Sequence, residues 1–173
     1  MPKPLNDPYD LNRFVEAQEA SYQRALSELR AGKKQSHWSW YILPQIQGLG
    51  SSPMSTRYAI RSLEEATAYL EHPVLGARLR DCVAALNIHT GLSASEILGG
   101  IDARKFRSCL TLFSQTIGSE SIFGEALNKY FFGKPDPATL AILASQQGAR
   151  GEANPSFEPT AHGKPRSAAQ LQR

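Results

Sequence analysis

Apolar residues recur every three or four positions along most of the chain, which is the spacing that places them on one face of an α-helix. The clearest case begins after Asp7-Pro8, a pair typical of a helix start, and ends before Gly32, a residue typical of a helix end. This pattern predicts a long first helix over residues 8–31.

Further helical segments follow, and short polar motifs mark where they begin. Ser62-Leu-Glu-Glu65 and Ser93-Ala-Ser-Glu96 both have the spacing of a capping box, and Asp136-Pro137 repeats the opening of the first helix. No segment combines the alternating pattern of a strand with a hairpin turn. We therefore expect an all-α fold, a compact single-domain bundle of about seven to nine helices.

The helical pattern stops near residue 148. We expect residues 1–148 to form one all-helical domain, a length sufficient to bury a core without metal or disulfide crosslinks. Residues 149–173 are rich in Gly, Pro, Ala, Ser and Gln and poor in large apolar groups. Such a composition buries too little surface to offset the entropy of ordering, so we expect a disordered tail.

Charge gives little indication of a nucleic-acid partner. The formal net charge is +3, but residues 149–173 hold four basic and two acidic residues, which leaves 15 basic and 14 acidic residues in 1–148. An almost neutral body makes nucleic acid an unlikely partner. The chain has no apolar run of about 18 residues and no apolar stretch near its first residues, so we expect no membrane association and a cytoplasmic location.

No metal site or cofactor is predicted. The histidines are dispersed, and Cys82 and Cys109 fit no metal spacing. Cys82 shares a helical face with leucines, which favours a packed thiol over a nucleophile. The sequence leaves open the oligomeric state and whether any reaction is catalysed.

The segment SHWSWYILPQIQGLG, residues 36–50, contains both tryptophans of the chain. We expect a helix over residues 37–43, ended by Pro44, which lacks an amide donor. Large aromatic side chains around this helix indicate a central core element. Its polar side chains, above all His37 and Gln45, instead favour a small-molecule pocket with aromatic walls. The two interpretations are compatible on different faces of the segment.

The same segment carries a resemblance. Three stretches carry it: the H-W-x-W-[FY]-[IL]-x-P-Q core, the Y-L-x-H-P-x-L-G motif in ATAYLEHPVLGARLRDC, and the segment DARKFRSCLTLF. Together they resemble the bacterial and fungal family called domain of unknown function 1810, some of whose members are misnamed calpastatin. The resemblance covers about residues 8–146. It implies a compact all-helical fold of the mycobacterial structural-genomics type and no established activity. The family pattern is matched at His37, Trp38, Trp40, Pro44, Gln45, Gly48, Gly50, Tyr58, Tyr69, His72, Pro73, Leu75, Gly76, Lys105 and Ser108.

A fainter resemblance concerns the first helix. YDLNRFVEAQEASYQRAL is similar to the Y-x-Q-A-x-K helix of ADP-ribose-processing NADAR proteins, although the lysine is absent here. This similarity implies a link to nucleotides or to ADP-ribose.

Taken together, these features give a candidate site for a small polar ligand of the nucleotide or ADP-ribose type. We expect histidines to move protons, an indole to stack on a ring, and cations to meet negative charge. The catalytic candidates are His37 and His72, and the ligand-binding candidates are Trp40, Gln45, Tyr58, Arg61 and Lys105.

Structural interpretations of the same residues stay open. His72 precedes a proline at a helix junction and suits a cap, Arg61 suits a solvated surface charge, and Lys105 suits an ion pair with Asp102. The alternative function is a non-enzymatic protein-interaction module in which the tryptophan segment is purely structural. A nucleic-acid accessory that uses the basic tail is the weakest hypothesis.

Overall fold

The computed structural model describes residues 6–117 and 121–152, which form a helical bundle. The described residues contain no β-strand, so the expected all-α class is confirmed. The helices are α1 (Asn12–Glu19), α2 (Tyr22–Ala31), α3 (Ser39–Ile42), α4 (Pro53–Arg57), α5 (Leu63–Glu71), α6 (Leu75–Asn87), α7 (Ala94–Leu98), α8 (Gly100–Ile117), α9 (Ile122–Phe131) and α10 (Pro137–Glu152).

The ten helices of the described residues exceed the predicted seven to nine, because the predicted first helix over 8–31 is two helices. The break lies at Ala20 and Ser21. The Ser21 hydroxyl donates to the carbonyl of Ala17 at 3.3 Å and pairs with the Tyr41 hydroxyl at 3.0 Å. A serine that bonds back to the preceding turn weakens a helix locally, and here a contact with another segment accompanies the break.

Helix α3 is shorter than the predicted 37–43. Trp38 precedes it with φ −140°, and Leu43 follows it with φ −124° and ψ 68°. Leu43 leaves the helical conformation because the residue before a proline is disfavoured there. His37 therefore lies in the loop before the helix rather than on a helical face.

Several predicted helix ends are present. Gly32 ends α2 with φ 75°, a left-handed conformation that favours glycine. Ser93 and Glu96 form the reciprocal bonds of a capping box at α7. Ser62 caps α5 by accepting from the Glu65 amide, but the Glu65 carboxylate binds elsewhere.

The Glu65 carboxylate is fully buried between two arginines. It lies 2.6 Å from Arg13 Nη2 and 3.1 Å from Arg61 Nε, and it also accepts from the Arg61 amide at 2.9 Å. Arg13 donates in addition to the carbonyls of Arg57 and Ala59. These bonds tie α1 to the segment that leads into α5.

Helix α8 is the central element. It packs against α5, α7, α9 and α10, and its side chains Phe106, Cys109, Leu110 and Phe113 are fully buried. Because of this packing the position of its first turn is fixed by most of the bundle.

An isolated parallel bridge joins Ile46 to Ile60. The Gln47 amide donates to the Ile60 carbonyl and the Ile60 amide to the Gln45 carbonyl, both at 2.8 Å. Ile46 and Ile60 are both buried, so the chain after α3 is held firmly beside the chain before α5.

Helix α10 continues to Glu152, past residue 148 where the sequence analysis ends the domain. The Arg150 guanidinium pairs with the Glu64 carboxylate of α5. The rest of the predicted disordered tail, residues 153–173, lies outside the described residues. In the described part of the chain, no helix has the length and apolar character needed to cross a membrane.

Both cysteines are buried and unpaired by disulfide. Burial raises the pKa of Cys82 to about 12 and also raises the pKa of Cys109. Thiols in such surroundings stay protonated at neutral pH, so they behave as packed core groups.

Candidate functional site

A cavity of about 440 Å³ lies between the loop that precedes α3 and the start of α8. This volume falls within the range of roughly 300–1,000 Å³ common for small-molecule sites. We call it the first cavity. It is lined by Lys34, Gln35, His37, Trp38, Ser39, Trp40, Leu98, Gly99, Gly100, Ile101, Asp102 and Lys105.

The loop wall of the first cavity is anchored by Glu28 of α2. The Glu28 carboxylate accepts from the Trp38 indole at 2.7 Å, from the Ser36 hydroxyl, and from the amides of Gln35 and Ser36 at 3.1 and 3.2 Å. Burial alone would raise the pKa of Glu28, but these hydrogen bonds lower it from 4.5 to about 2. Trp38 is 1% exposed, so its indole is a structural anchor of this wall.

Two lysines share one carboxylate at the floor of the first cavity. Lys34 Nζ lies 2.8 Å from Asp102 Oδ2, and Lys105 Nζ lies 3.6 Å from Asp102 Oδ1. Burial would raise the pKa of Asp102. Contacts with the Lys34 ammonium and the nearby Ser39 hydroxyl lower the pKa of Asp102 instead, and the positive charges of Lys34 and Lys105 lower it further, so that it lies below its ordinary value. Asp102 is therefore ionised at neutral pH, and the three groups together carry one net positive charge.

Each of these lysines also covers a tryptophan. Lys34 Nζ lies 5.1 Å from the ring centroid of Trp38, and Lys105 Nζ lies 4.7 Å from that of Trp40. Such cation–π contacts are worth roughly 0.5–1 kcal/mol each when partly exposed. They hold the ammonium groups in place against the aromatic walls.

The start of α8 faces the same cavity. Gly99 precedes the helix with φ 83°, and the Ala103 amide donates to the Gly99 carbonyl. The amides of Gly100, Ile101 and Asp102 come before this first helical bond and have no carbonyl of their own helix to reach. A side-chain carbon on Gly99 or Gly100 would meet no atom within 4 Å, so open space adjoins the backbone.

Ser39 adds a buried hydroxyl to the first cavity. The residue is 2% exposed, and its Oγ approaches Asp102 without meeting the geometry of a hydrogen bond to any described atom. The contact between this hydroxyl and Asp102 helps to lower the pKa of that carboxyl.

Three of the seven residues proposed from the sequence line the first cavity, namely His37, Trp40 and Lys105. His37 is exposed at the rim, and Trp40 is half-buried. These three come from the loop before α3, from α3 and from α8.

Two other proposed residues line a neighbouring second cavity of about 170 Å³. Gln45 and Tyr58 belong to it, and Trp40 is a wall of both cavities. The Gln45 amide nitrogen donates to the Ser108 hydroxyl at 2.6 Å. The full lining is Trp40, Gln45, Ile46, Gln47, Gly48, Gly50, Ser55, Thr56, Tyr58 and Ala59.

Arg61 lines neither cavity. It lies in a polar cleft of about 260 Å³ that also holds Arg13 and Arg57. Its guanidinium binds the Glu65 carboxylate and the Tyr9 carbonyl, contacts that join parts of the fold.

His72 also lies apart from both cavities. Its Nδ1 accepts from the amides of Val74 and Leu75, both at 3.2 Å, and so caps the start of α6. Burial lowers the pKa of His72, with a further contribution from Arg78 that Asp7 opposes. The ring is therefore neutral at pH 7, as an accepting Nδ1 requires.

Lys34 and Glu28 are parts of the site that no sequence pattern indicates, and Asp102 is expected from the sequence only as a partner of Lys105. Lys34 and Asp102 are far apart in the chain and meet only because α7 and α8 fold back on the loop after α2. The Lys34 amide bond to the Ile97 carbonyl, 2.8 Å long, fixes this meeting. The glycine pair at 99–100 was the available signal, since it permits a close approach to a helix start.

Comparison with known proteins agrees with the fold and names no activity. The family described as protein of unknown function (DUF1810) matches residues 8–143. The crystal structure of the conserved hypothetical protein Rv1873 from Mycobacterium tuberculosis is similar, with 48% sequence identity and a TM-score of 0.78 over 80% of this chain and 99% of that chain. No curated protein matches the chain. The resemblance expected from the tryptophan segment is confirmed, and the chain belongs to the DUF1810 family.

Proposed function

We propose that the protein binds a small phosphate-bearing ligand, of the nucleotide or ADP-ribose class, in the first cavity. The observation that carries this proposal is the meeting of Lys34, Lys105 and the first turn of α8 at one half-open space with tryptophan walls. Phosphate groups suit such a place because free amides and the positive end of the helix dipole both favour an anion.

The charges at the cavity support an anion even though Asp102 is present. Asp102 neutralises one ammonium, and the second remains for a ligand. An ion pair that is already formed also holds Lys34 and Lys105 in position before a ligand arrives. Such preorganisation lowers the entropic cost of binding.

His37 is the proton-transfer candidate that this site retains. It lines the first cavity at its exposed rim, whereas His72 is engaged in capping α6. A histidine ring nitrogen can donate a hydrogen bond or a proton, so His37 can serve a bound phosphate in this way. Whether a reaction follows binding is tested separately, by product analysis of each bound probe with the wild type and with His37→Gln.

A thermal-shift titration with ADP, ADP-ribose and pyrophosphate tests the proposal. At about 100 times its dissociation constant a ligand stabilises by ~2.7 kcal/mol, which raises Tm by about 5–10 °C for a chain of this size. No shift with any of the three probes at millimolar concentration would contradict the proposal.

A matched pair of lysine variants locates the binding. We expect Lys105→Met to weaken binding of the effective probe at least tenfold, because it removes one of the two ammonium groups and with it the net positive charge of the cavity. The control is Lys129→Met, since Lys129 also lies over an aromatic ring, that of Tyr130 at 5.8 Å, and lies outside the cavity. Equal affinities for the two variants would show that any binding occurs elsewhere.

One observation favours the alternative of a protein-interaction module. Phe132 is 92% exposed and has φ 56°, a left-handed conformation unusual for an aromatic residue. Trp38 is structural as that alternative requires, but Trp40 is half-buried and lines two cavities. The absence of a thermal shift with every probe favours this alternative.

A further inference from the structure

Trp40 lines two cavities that differ in charge. The first cavity is lined by two lysines and an aspartate, whereas the lining of the second contains no charged residue. Lys105 covers the Trp40 indole and lines only the first cavity, so the cation lies on that side. One indole therefore borders a charged space and an uncharged space.

The second cavity offers hydrogen bonds that the protein does not use. Gln45 donates its amide nitrogen to Ser108, whose hydroxyl donates in turn to the Lys105 carbonyl at 2.9 Å. The side-chain oxygen of the same amide, Gln45 Oε1, makes no hydrogen bond to another described residue and can accept one. Thr56 and Tyr58 line the same space, and neither hydroxyl makes a hydrogen bond to another described residue.

The walls of the second cavity are rigid. The Tyr58 ring packs edge-on against Tyr41 at 5.3 Å between centroids. A side chain at Gly50 would approach the Ser55 hydroxyl to 2.7 Å, so this position keeps the loop close to α4. Ile46, which lines this cavity, is bridged to Ile60, the residue after the lining residue Ala59. A fixed, uncharged, aromatic space with free donors and acceptors suits a planar heterocycle.

The size of the second cavity limits what enters it. A complete drug-sized ligand needs a cavity of roughly 300 Å³ or more. The second cavity, with about 170 Å³, is smaller than that but accommodates one ring system. A phosphate there would lose its hydration without meeting a cation, which is unfavourable. A ligand that uses both cavities must therefore place its anionic part in the first cavity and its ring in the second, with Trp40 in contact with both.

We infer that the second cavity is the subsite for an uncharged nucleobase, and that the ligand is a nucleoside diphosphate or a molecule containing one, whose phosphates occupy the first cavity. This inference rests on the proposed function and adds the residues that select the ring. Gln45, Thr56 and Tyr58 contact the edge of the base, and Trp40 contacts its face.

Calorimetric titration tests whether base and phosphates bind in separate cavities. The probes are pyrophosphate, adenosine and the diphosphates ADP, GDP, UDP and CDP. We expect at least one nucleoside diphosphate to bind tenfold or more tightly than pyrophosphate, and adenosine to bind more weakly than ADP. If no diphosphate binds more tightly than pyrophosphate, the base subsite is wrong while the proposed function stands. If neither pyrophosphate nor any diphosphate binds, both fail.

Hydroxyl variants identify the subsite. Thr56→Val and Tyr58→Phe each remove one hydroxyl with little change of shape. We expect each to weaken the best diphosphate about threefold to tenfold and to leave the pyrophosphate affinity unchanged. Thr67→Val is the control, since Thr67 lies on the exposed side of α5 and bonds to the Leu63 carbonyl.

Two results of this comparison overturn the base subsite. One is unchanged affinity of the diphosphate for both cavity variants. The other is equal weakening of diphosphate and pyrophosphate, which would mean that the hydroxyls support the fold rather than contact a ring. A melting temperature for each variant within a few degrees of the wild type shows that the comparison concerns folded protein.

Discussion

Replacing Glu28 by glutamine should destabilise the protein in a pH-dependent way. The carboxylate binds two side chains and two amides of the loop before α3, and its pKa falls from 4.5 to about 2. At about 1.4 kcal/mol per tenfold change this fall corresponds to roughly 3 kcal/mol. Solvent screens the half-buried group, so we expect Glu28→Gln to lower the free energy of unfolding by ~1.5 kcal/mol at pH 7.

The sign of the pH effect follows from the direction of the pKa change. A carboxyl group whose pKa is lower in the folded protein stabilises fully above its ordinary value and loses that effect as the pH falls towards the folded value. The wild type should therefore lose its advantage over Glu28→Gln between about pH 5 and pH 2. Other carboxylates titrate in both proteins and cancel in the difference.

Urea denaturation followed by tryptophan fluorescence from pH 7 down to pH 2.5 measures this difference. The control is Glu19→Gln, an exposed residue at the end of α1, which should match the wild type throughout. A gap between Glu28→Gln and wild type that stays constant from pH 7 to pH 2.5 would refute the reasoning. A gap below about 0.5 kcal/mol at pH 7 would show that solvent already satisfies the loop.

Three further outcomes are expected. Gly76→Ala should destabilise by ~3 kcal/mol or more in urea denaturation, because the added carbon would lie 2.0 Å from the Leu70 carbonyl oxygen. The control is Gly148→Ala in α10, where open space surrounds the added carbon and the change should stabilise by up to ~1 kcal/mol. Similar values for the two variants would contradict the clash at Gly76. Phe132→Gly should stabilise by ~1 kcal/mol, measured in the same way, since glycine adopts a positive φ without strain, and a loss of stability would mean that the exposed ring makes a stabilising contact. Neither cysteine should react with a thiol reagent in the folded protein and both should react in urea, so rapid reaction without urea would contradict their burial.

Local signals in the sequence predicted much of the fold. Gly32 ends a helix because the backbone there adopts a left-handed conformation that favours glycine. Ser93 and Glu96 provide hydrogen-bond acceptors for the amides at a helix start. Both are properties of neighbouring residues. The break at Ser21 was not predictable in this way, because the apolar spacing continues across it and its Tyr41 contact comes from another part of the chain.

The candidate site was predictable only in part for the same reason. Trp40 and His37 lie in one unusual segment, so composition alone indicated them. Lys34 reaches Asp102 only through the packing of α7 and α8, which no local pattern encodes. Conversely Arg61 lies just before α5 and pairs with Glu65 in the first turn of that helix, and this local contact accounts for its position.

The buried carboxylate of Glu65 constrains how this chain can vary. Loss of Arg13 alone would leave a negative charge without its closest partner in the interior, and loss of Glu65 alone would leave two guanidinium groups facing each other. Either intermediate costs several kcal/mol, roughly 3–5 for a broken buried pair. Single substitutions of Arg13 or Glu65 should therefore be poorly tolerated. Related proteins that lack one of these charged residues should carry apolar side chains in place of all of them.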